Sequence, residues 1–259
     1  DLVWEGVEGA ARLGTSVACA GDLNGDGRAE LIAGAPYAME NDVQCGKAYV
    51  LAAPEGARGA IQVTSATVLA TILTAKKNSL LGMSVAGIGD FDGDGFNDIA
   101  IGLPGAPGYV DGDGDDNVAY TGAVQIIYGA AVMPPVIDTD PEFATRIVGA
   151  GAGEQTGFAI AGAGDVNGDG APDLIIGAPR ARNRTNSLLD QTGRVYIVFG
   201  GRPRPQVIDL EDEADVTIEG GQSYARLGTA VAGVGDVNGD GVGDVAAGAP
   251  HLDTSGYVD

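Results

Sequence analysis

Acidic and amide side chains recur at one fixed spacing in four places along the 259-residue chain. Each stretch has Asp at position 1, Asp or Asn at position 3, Asp at position 5, glycine at position 6 and Asp or Glu at position 9. Side-chain oxygens in that number, with the backbone carbonyl at position 7, suit Ca²⁺, which takes roughly six to eight oxygen ligands. Glycine at position 6 would allow a sharp turn around the ion. The four stretches begin at Asp22, Asp90, Asp165 and Asp236.

Two other interpretations compete for these stretches. A helical calcium loop of the EF-hand or dockerin kind needs an acidic residue at position 12, where this chain has Ala33, Ile101, Ile176 and Ala247. Asn-Gly and Asp-Gly pairs also favour hairpin turns without any metal. A metal-free turn has no need of an acid at both position 1 and position 9, so the pattern favours a metal site.

The elements that must position these stretches are also repeated. Leu or Thr followed by glycine stands nine residues before each first aspartate, and "GAP" or "GLP" begins twelve residues after it. Short apolar or alternating segments surround each stretch, such as "TSVACAG", "ELIAGAP", "KAYVLAA" and "VLATIL" in the first unit. Four strands in a unit of about 70 residues are typical of a β-propeller blade, and the acidic stretch would be the hairpin loop between the first two strands. The predicted fold class is therefore all-β, with four-stranded antiparallel blades.

The unit "LGTSVACAGDLNGDGRAELIAGAP" and its three copies resemble FG-GAP repeats, the blades of the integrin α-subunit propeller and its bacterial relatives. The resemblance covers nearly the whole chain and implies about four Ca²⁺ ions, each held by one hairpin, so the four sites should fill independently. The implied side-chain ligands are Asp22, Asn24, Asp26, Glu30, Asp90, Asp92, Asp94, Asp98, Asp165, Asn167, Asp169, Asp173, Asp236, Asn238, Asp240 and Asp244. The implied carbonyl ligands belong to Arg28, Phe96, Ala171 and Val242.

Three residues depart from the family pattern. Glu30 replaces the usual aspartate, Thr156 replaces an aromatic residue or leucine, and Leu103 replaces alanine. Of the three, only Glu30 would touch the metal.

The four units predict one propeller domain over residues 1–259. Its expected parts are an outer strand of the last blade and four blades, the fourth incomplete: 1–6, 13–74, 81–149, 156–220 and 227–259. Because family members usually close a ring of seven blades, three kinds of closure remain open. In the first, the N-terminal strand pairs with the last blade. In the second, further blades are missing from the chain, and in the third a partner, including a second copy, completes the ring.

Charge indicates the environment of the protein. The formal net charge is −22, and thirteen of the 36 acidic residues lie in the four stretches. Such a domain should avoid nucleic acid and anionic membranes, and no apolar run is long enough for a membrane helix. Calcium sites of modest affinity are filled outside cells, so an extracellular or cell-surface location is expected.

Function is expected on the face opposite the acidic stretches, where the connections 36–45, 104–121 and 179–192 differ between units. Six of the fourteen Lys and Arg lie between Arg180 and Arg204, whereas the connection at 108–121 is acidic and its Asp111, Asp113, Asp115 and Asp116 could hold a further cation. We expect adhesion or binding of a protein or glycan ligand. The alternative is that the charged residues of these loops only form exposed ion pairs with each other.

A propeller enzyme (a calcium-dependent lyase or hydrolase) or a lectin is the alternative function class. His251 is the only histidine and lies in a predicted loop, and no nucleophile–base set has supporting spacing. Aromatic residues make up 5% of the chain, which disfavours a stacking-based sugar site. We therefore expect no enzyme activity.

Cys19 and Cys45 are expected as small, buried or half-buried thiols at opposite ends of a blade, too far apart for a disulfide.

Overall fold

The computed structural model of the chain describes residues 2–64, 67–74, 76–107, 120–138, 144–186, 188–201 and 205–252. All regular secondary structure in these ranges is β-strand. The same ranges contain no helix long and apolar enough to span a membrane. The predicted all-β class is confirmed. The strands are β1 (Leu2–Gly6), β2 (Ser16–Gly21), β3 (Glu30–Ala35), β4 (Met39–Glu40), β5 (Val43–Gln44), β6 (Lys47–Leu51), β7 (Gly59–Val63), β8 (Ala70–Leu73), β9 (Ser84–Gly89), β10 (Asp98–Leu103), β11 (Ala123–Ile127), β12 (Val136–Asp138), β13 (Ala144–Val148), β14 (Ala159–Gly164), β15 (Asp173–Ala178), β16 (Arg194–Val198), β17 (Val207–Asp209), β18 (Val216–Glu219), β19 (Ala230–Gly235) and β20 (Asp244–Gly248).

Each of the first three repeats contributes an antiparallel set of four strands that pair in chain order, and one parallel strand from the next repeat extends the first two sets. The sets are β2-β3-β6-β8, β9-β10-β11-β13 and β14-β15-β16-β18, and the fourth repeat contributes the hairpin β19–β20 within the described residues. Every residue of β10 and of β15 is buried. This explains why these second strands are continuously apolar after their first Asp, since both faces of the strand are covered.

Short strands that the sequence did not predict join the second repeat to the first and the third repeat to the second. β12 pairs in parallel with β8, and β17 pairs in parallel with β13. β1 and β7 form the same kind of parallel pair, so β1 takes the position of an outer strand preceding the first repeat. Within the described ranges β1 pairs with β7 alone and β19–β20 form a sheet of their own. The expected pairing of the N-terminal strand with the last repeat is therefore not seen there.

The apolar core lies between consecutive sheets. Ile32 and Ile72 of the first repeat pack in one cluster with Ile99 of the second, and a further cluster joins Ile126 of the second repeat to Ile176 of the third. The first strands of successive repeats also lie against one another, β2 on β9, β9 on β14 and β14 on β19. Because burying one such side chain contributes about 1.5–3 kcal/mol, the repeats stabilise each other.

In the first three repeats, the first glycine of the "GAP" or "GLP" motif lies close against the following repeat. A Cβ atom on Gly34, Gly102 or Gly177 would overlap the carbonyl oxygen of Gly82, Gly157 or Gly228, respectively, in the following repeat. Only glycine fits there. This contact explains why the "GAP" motif and the Leu/Thr-Gly pair keep a fixed distance in the sequence.

Both cysteines are free thiols, but they differ in exposure. Cys45 is buried, as expected, whereas Cys19 is exposed. The expectation for Cys19 was wrong because β2 lies on an open face of the first repeat, where Cys19, Val17, Leu31 and Trp4 border a cavity of about 440 Å³. In later repeats this position is glycine, and Gly87 packs against the backbone carbonyl of Cys19 itself.

Candidate metal centres

The four acidic stretches, here called the acidic loops, lie between the first and second strands of their repeats. A β-bulge precedes each of them, and the glycine before the first aspartate has a positive φ. The acidic loops are residues 22–30, 90–98, 165–173 and 236–244.

The carboxylate at position 1 organises each acidic loop. In the second loop, Asp90 Oδ1 accepts the Gly93 N–H at 2.8 Å, and its Oδ2 accepts the Gly95 N–H at 3.0 Å. The corresponding pairs of bonds form in the other three loops. Both glycines have positive φ in all four loops. The glycine at position 6 was predicted, while that at position 4 was missed although it recurs in every copy.

The side chains at positions 3 and 5 each hold a backbone N–H two residues further on. Asp92 Oδ1 accepts the Asp94 N–H at 3.1 Å, and Asp94 Oδ1 accepts the Phe96 N–H at 2.9 Å. Asn and Asp make the same bonds in the other loops. These Asx turns fix the tight winding of each loop.

The acid at position 9 ties the loop to the sheet. Asp98 Oδ2 accepts the Phe91 N–H at 2.7 Å, and its Oδ1 accepts the N–H of Gly129, just after β11, at 2.8 Å. Asp173 makes the equivalent pair of bonds, and Glu30 and Asp244 accept the N–H at position 2 of their own loops. Hydrogen bonds thus give the acids at positions 1 and 9 a role without any metal, so the expectation that a metal-free turn has no need of both acids was wrong.

Three carboxylates of the second loop converge. Asp90, Asp92 and Asp98 each offer one oxygen, and these oxygens lie within 4.8 Å of one another. The other loops carry Asn24, Asn167 or Asn238 at position 3, where an amide oxygen replaces the carboxylate. Oxygen-only donor sets of this kind fit a hard divalent cation such as Ca²⁺.

The electrostatics of the second loop work against its own ionised state. Burial raises the pKa of Asp98 to about 7, and the Asp92 carboxylate adds to the rise, while the N–H groups of Gly129 and Phe91 oppose it. Burial, followed by the charge of Asp94, also raises the pKa of Asp92. Burial raises the pKa of Glu30 and Asp173 in the first and third loops. A bound cation would compensate these crowded negative charges.

The fourth loop differs electrostatically. Asp236 is fully exposed, and the N–H of Gly241, with those of Gly239 and Asp240, holds the pKa of its carboxyl below the usual value.

Position 7 of each loop carries the backbone carbonyl that was predicted to bind the metal. The backbone N–H of the same residue binds the side chain at position 5. These residues are Arg28, Phe96, Ala171 and Val242.

The opposite face is only partly described. The connections 36–45 and 179–192 are described apart from residue 187, whereas residues 108–119 lie outside the described residues. The proposed further cation site at Asp111, Asp113, Asp115 and Asp116 therefore has no structural account. His251 is exposed on this face, following the last "GAP".

Comparisons with known proteins agree with the repeat pattern. The FG-GAP repeat family matches residues 14–51 and 156–198. Integrin alpha-PS2 of Drosophila melanogaster is 35% identical over 175 residues, which are 67% of this chain and 11% of that protein. Integrin alpha-7 of Mus musculus is 29% identical over 214 residues, 82% of this chain and 16% of that protein.

A relative of another class is also similar. Phosphatidylinositol-glycan-specific phospholipase D of Bos taurus is 32% identical over 171 residues, 64% of this chain and 18% of that protein. The chain thus spans less than a fifth of the length of each of these three relatives. With the repeated loops and sheets, these similarities identify the chain as an integrin-like FG-GAP repeat protein.

Proposed function

We propose that the chain is a calcium-stabilised, integrin-α-like propeller domain that binds a protein ligand in adhesion outside the cell. The observation that carries the calcium assignment is the convergence of Asp90, Asp92 and Asp98. The hydrogen-bond pattern of that loop recurs in the other three. Four loops of one shape would hold about four ions.

Calcium would act structurally. The oxygens at positions 1, 3, 5 and 9, with the carbonyl at position 7, would surround the ion and neutralise charges that otherwise repel. Since position 9 begins the second strand and is bonded to the end of the third in loops 2 and 3, an ion there would join a loop to its sheet. Binding free energy then adds to the free energy of unfolding.

Chelation tests this function. Melting of the chain should be followed with calcium, after exhaustive removal by a chelator, and after calcium is restored. We expect a marked fall in the melting temperature that calcium reverses. Elemental analysis must show that the ions have left. An unchanged melting temperature in the metal-free chain would contradict a structural role for calcium.

Ligand binding is assigned to the face opposite the acidic loops. The connections there vary in length and charge between repeats, while the acidic loops keep one length and one hydrogen-bond pattern. A scaffold that holds its core constant and varies its exposed loops is typical of recognition proteins. Similarity to integrin α chains supports a protein ligand. Calcium-dependent stability also suits an extracellular location, where the ion is plentiful.

A further inference from the structure

A cleft on the face opposite the acidic loops separates the second and third repeats. It has a volume of about 510 Å³ and is bordered by residues 151–154, which lead from β13 into β14, and by Arg180, Arg182, Asp190 and Gln191. This space is named the Arg180 cleft below. Its walls come from the "GAP" connection of the third repeat and from the connection between repeats.

A buried cation fixes the walls of the Arg180 cleft. Arg194, 1% exposed, donates to Glu154 Oε1 at 2.6 Å and to the backbone carbonyl of Arg182 at 2.7 Å. It also binds Glu219 at 2.8 Å and the Tyr196 hydroxyl at 2.9 Å, and that hydroxyl donates to Glu154 Oε2. Two wall elements, Glu154 and the backbone at Arg182, are therefore held in place by one side chain.

The cleft and the ion pairs that support it hold equal numbers of arginines and acids, because Arg194 binds Glu219 as well as Glu154, but Arg180 stands outside these pairs. The buried Arg194 compensates Glu154, and Arg182 binds Asp190 at 3.0 Å. Arg180 is exposed and makes no ion pair with any residue in the described ranges. The chain as a whole has a net charge of −22, so an unpaired guanidinium in a preformed cleft is a distinct local feature.

The cleft also contains an acceptor that lacks a donor. Gln191 Oε1 is buried without a hydrogen-bond partner in the described part of the chain. An unpaired buried acceptor is costly, and a ligand N–H that reached Oε1 after a rotation of the Gln191 side chain would remove that cost. A ligand that brings both an anion and an N–H group therefore suits the cleft better than a simple anion.

The first repeat provides an internal comparison. Its corresponding cleft, about 490 Å³, is bordered by residues 8–11 and by Tyr37, Met39, Asn41 and Asp42. The frames agree, because the Tyr37 N–H donates to the Ala11 carbonyl as the Arg180 N–H donates to the Glu154 carbonyl. The chemistry differs: Tyr37 replaces Arg180, and Arg12 stacks over the Tyr37 ring at 4.6 Å.

We propose that the Arg180 cleft binds a carboxylate side chain of an acidic peptide segment in a protein partner. The Arg180 guanidinium would hold the carboxylate, in the planar two-bond geometry that arginine favours. An N–H of the peptide would meet the Gln191 acceptor. The Asp190 and Glu154 carboxylates would repel a doubly charged phosphate group more strongly than a singly charged carboxylate. This proposal deepens the proposed ligand binding and does not depend on calcium.

The test uses acetyl-Ala-Glu-Ala-amide as the probe and acetyl-Ala-Gln-Ala-amide as its uncharged match. Both are titrated into the calcium-loaded, ¹⁵N-labelled chain while backbone amide NMR signals are recorded. We expect the Glu peptide to shift the signals of Gly151, Gly153 and Gln191, and to leave Gly9 in the first-repeat cleft unchanged. The Gln peptide should bind at least about fivefold more weakly, as loss of a charge-assisted contact implies.

Variants separate the cleft from general attraction. Arg180→Gln should weaken the Glu peptide by about fivefold or more. Arg58→Gln, which changes an exposed arginine outside the cleft, should leave binding unchanged. Because both side chains are exposed, melting temperatures should stay the same. The proposal would be overturned if both variants weakened binding equally, if both peptides bound equally well, or if the shifts spread over other surfaces. A sulfated disaccharide is titrated as a third probe, and a response to it alone would also overturn the proposal. Calcium chelation in the same samples tests the stabilising role separately.

Discussion

The backbone N–H of Asn97 donates a hydrogen bond to the carbonyl oxygen of Asp22 at 3.1 Å, which joins the second acidic loop to the first. Gly243, at the same position 8 of the fourth loop, donates to the Asp165 carbonyl of the third at 2.6 Å. Position 8 of the third loop is Pro172, which has no N–H to give to the second loop. The expectation of four independent sites therefore changes. Direct backbone bonds join the first loop to the second and the third to the fourth, while Gly201 of the third repeat donates to the Phe91 carbonyl of the second loop at 2.8 Å.

Removing a ligand from the second loop should consequently affect the first loop. Asp92→Ala should abolish tight calcium binding in the second loop, because position 3 loses its oxygen. It should weaken the first loop by a smaller factor, up to about fivefold if one hydrogen bond is lost. The third loop should be affected less than the first, because Pro172 gives no backbone bond to the second loop, and the fourth should be unchanged. Amide NMR signals of Gly27, Gly95, Gly170 and Gly241 report the four loops separately during a calcium titration.

A proline variant provides the control for this link. Asn97→Pro removes the N–H that reaches Asp22, and Pro172 shows that position 8 can hold proline. In this background Asp92→Ala should affect the first loop less, since the backbone bond from the Ala130 N–H to the Leu23 carbonyl at 2.9 Å remains between the two repeats. An equal loss of affinity in all four loops, or an unaffected first loop in the single variant, would contradict paired coupling.

The buried Arg194 should be essential for stability. Arg194→Met leaves Glu154, which is 5% exposed, without its counter-charge, and loss of one partner from a buried pair costs about 3–5 kcal/mol. Burial acts to lower the pKa of Arg194, but the nearby Tyr196 and Glu154 outweigh it and raise that pKa, so the guanidinium stays charged. Urea unfolding with calcium present measures the loss. Arg182→Gln, at an exposed pair, should change the free energy of unfolding by less than about 0.5 kcal/mol.

The close approach at the "GLP" glycine predicts a second large destabilisation. Gly102→Ala places a methyl group against the Gly157 carbonyl and the Ser84 hydroxyl, and such overpacking typically costs about 1–3 kcal/mol. Gly9→Ala is the matched control, since nothing lies within 4 Å of its added Cβ and its φ is not positive. Thermal melting compares the two; equal melting temperatures would show that the repeats separate more readily than the structure indicates.

The two thiols should react at very different rates. Cys19 is exposed, whereas Cys45 is 1% exposed and burial raises the pKa of its thiol, which reduces the reactive thiolate. A maleimide should add once to the native chain and twice in urea, as counted by mass spectrometry. Cys19→Ser should remove the rapid native adduct. Rapid labelling of Cys45 in the native Cys19→Ser chain would contradict its burial.

Periodicity explains which parts of the fold were predictable. Fixed spacing from Leu13 to the "GAP" at Gly34 predicts the first two strands and the loop between them, because an insertion there would break the contact of Gly34 with the next repeat. The three-residue strands β12 and β17 were missed because pairing with the preceding repeat stabilises them. Short segments of that kind carry no alternation of their own.

The acidic loops were predictable as sequences but not as networks. Composition and spacing indicate the oxygen donors at Asp90, Asp92 and Asp98, since these residues lie close together along the chain. The bonds from Gly129 to Asp98 and from Asn97 to Asp22 join residues that lie far apart in sequence. The ion pair of Arg194 with Glu154 spans 40 residues. Long-range partners of this kind leave no local pattern to read.

The number of calcium ions bound by each chain tests the calcium assignment most directly. Native mass spectrometry of the chain, equilibrated with calcium and transferred to volatile buffer, should show about four retained ions, one for each acidic loop. A chain carrying Asp22→Ala, Asp90→Ala, Asp165→Ala and Asp236→Ala should retain none and melt at a lower temperature. The proposal that these loops are calcium sites would be contradicted if the unaltered chain bound no calcium. It would also be contradicted if the variant with all four substitutions kept as many ions as the unaltered chain.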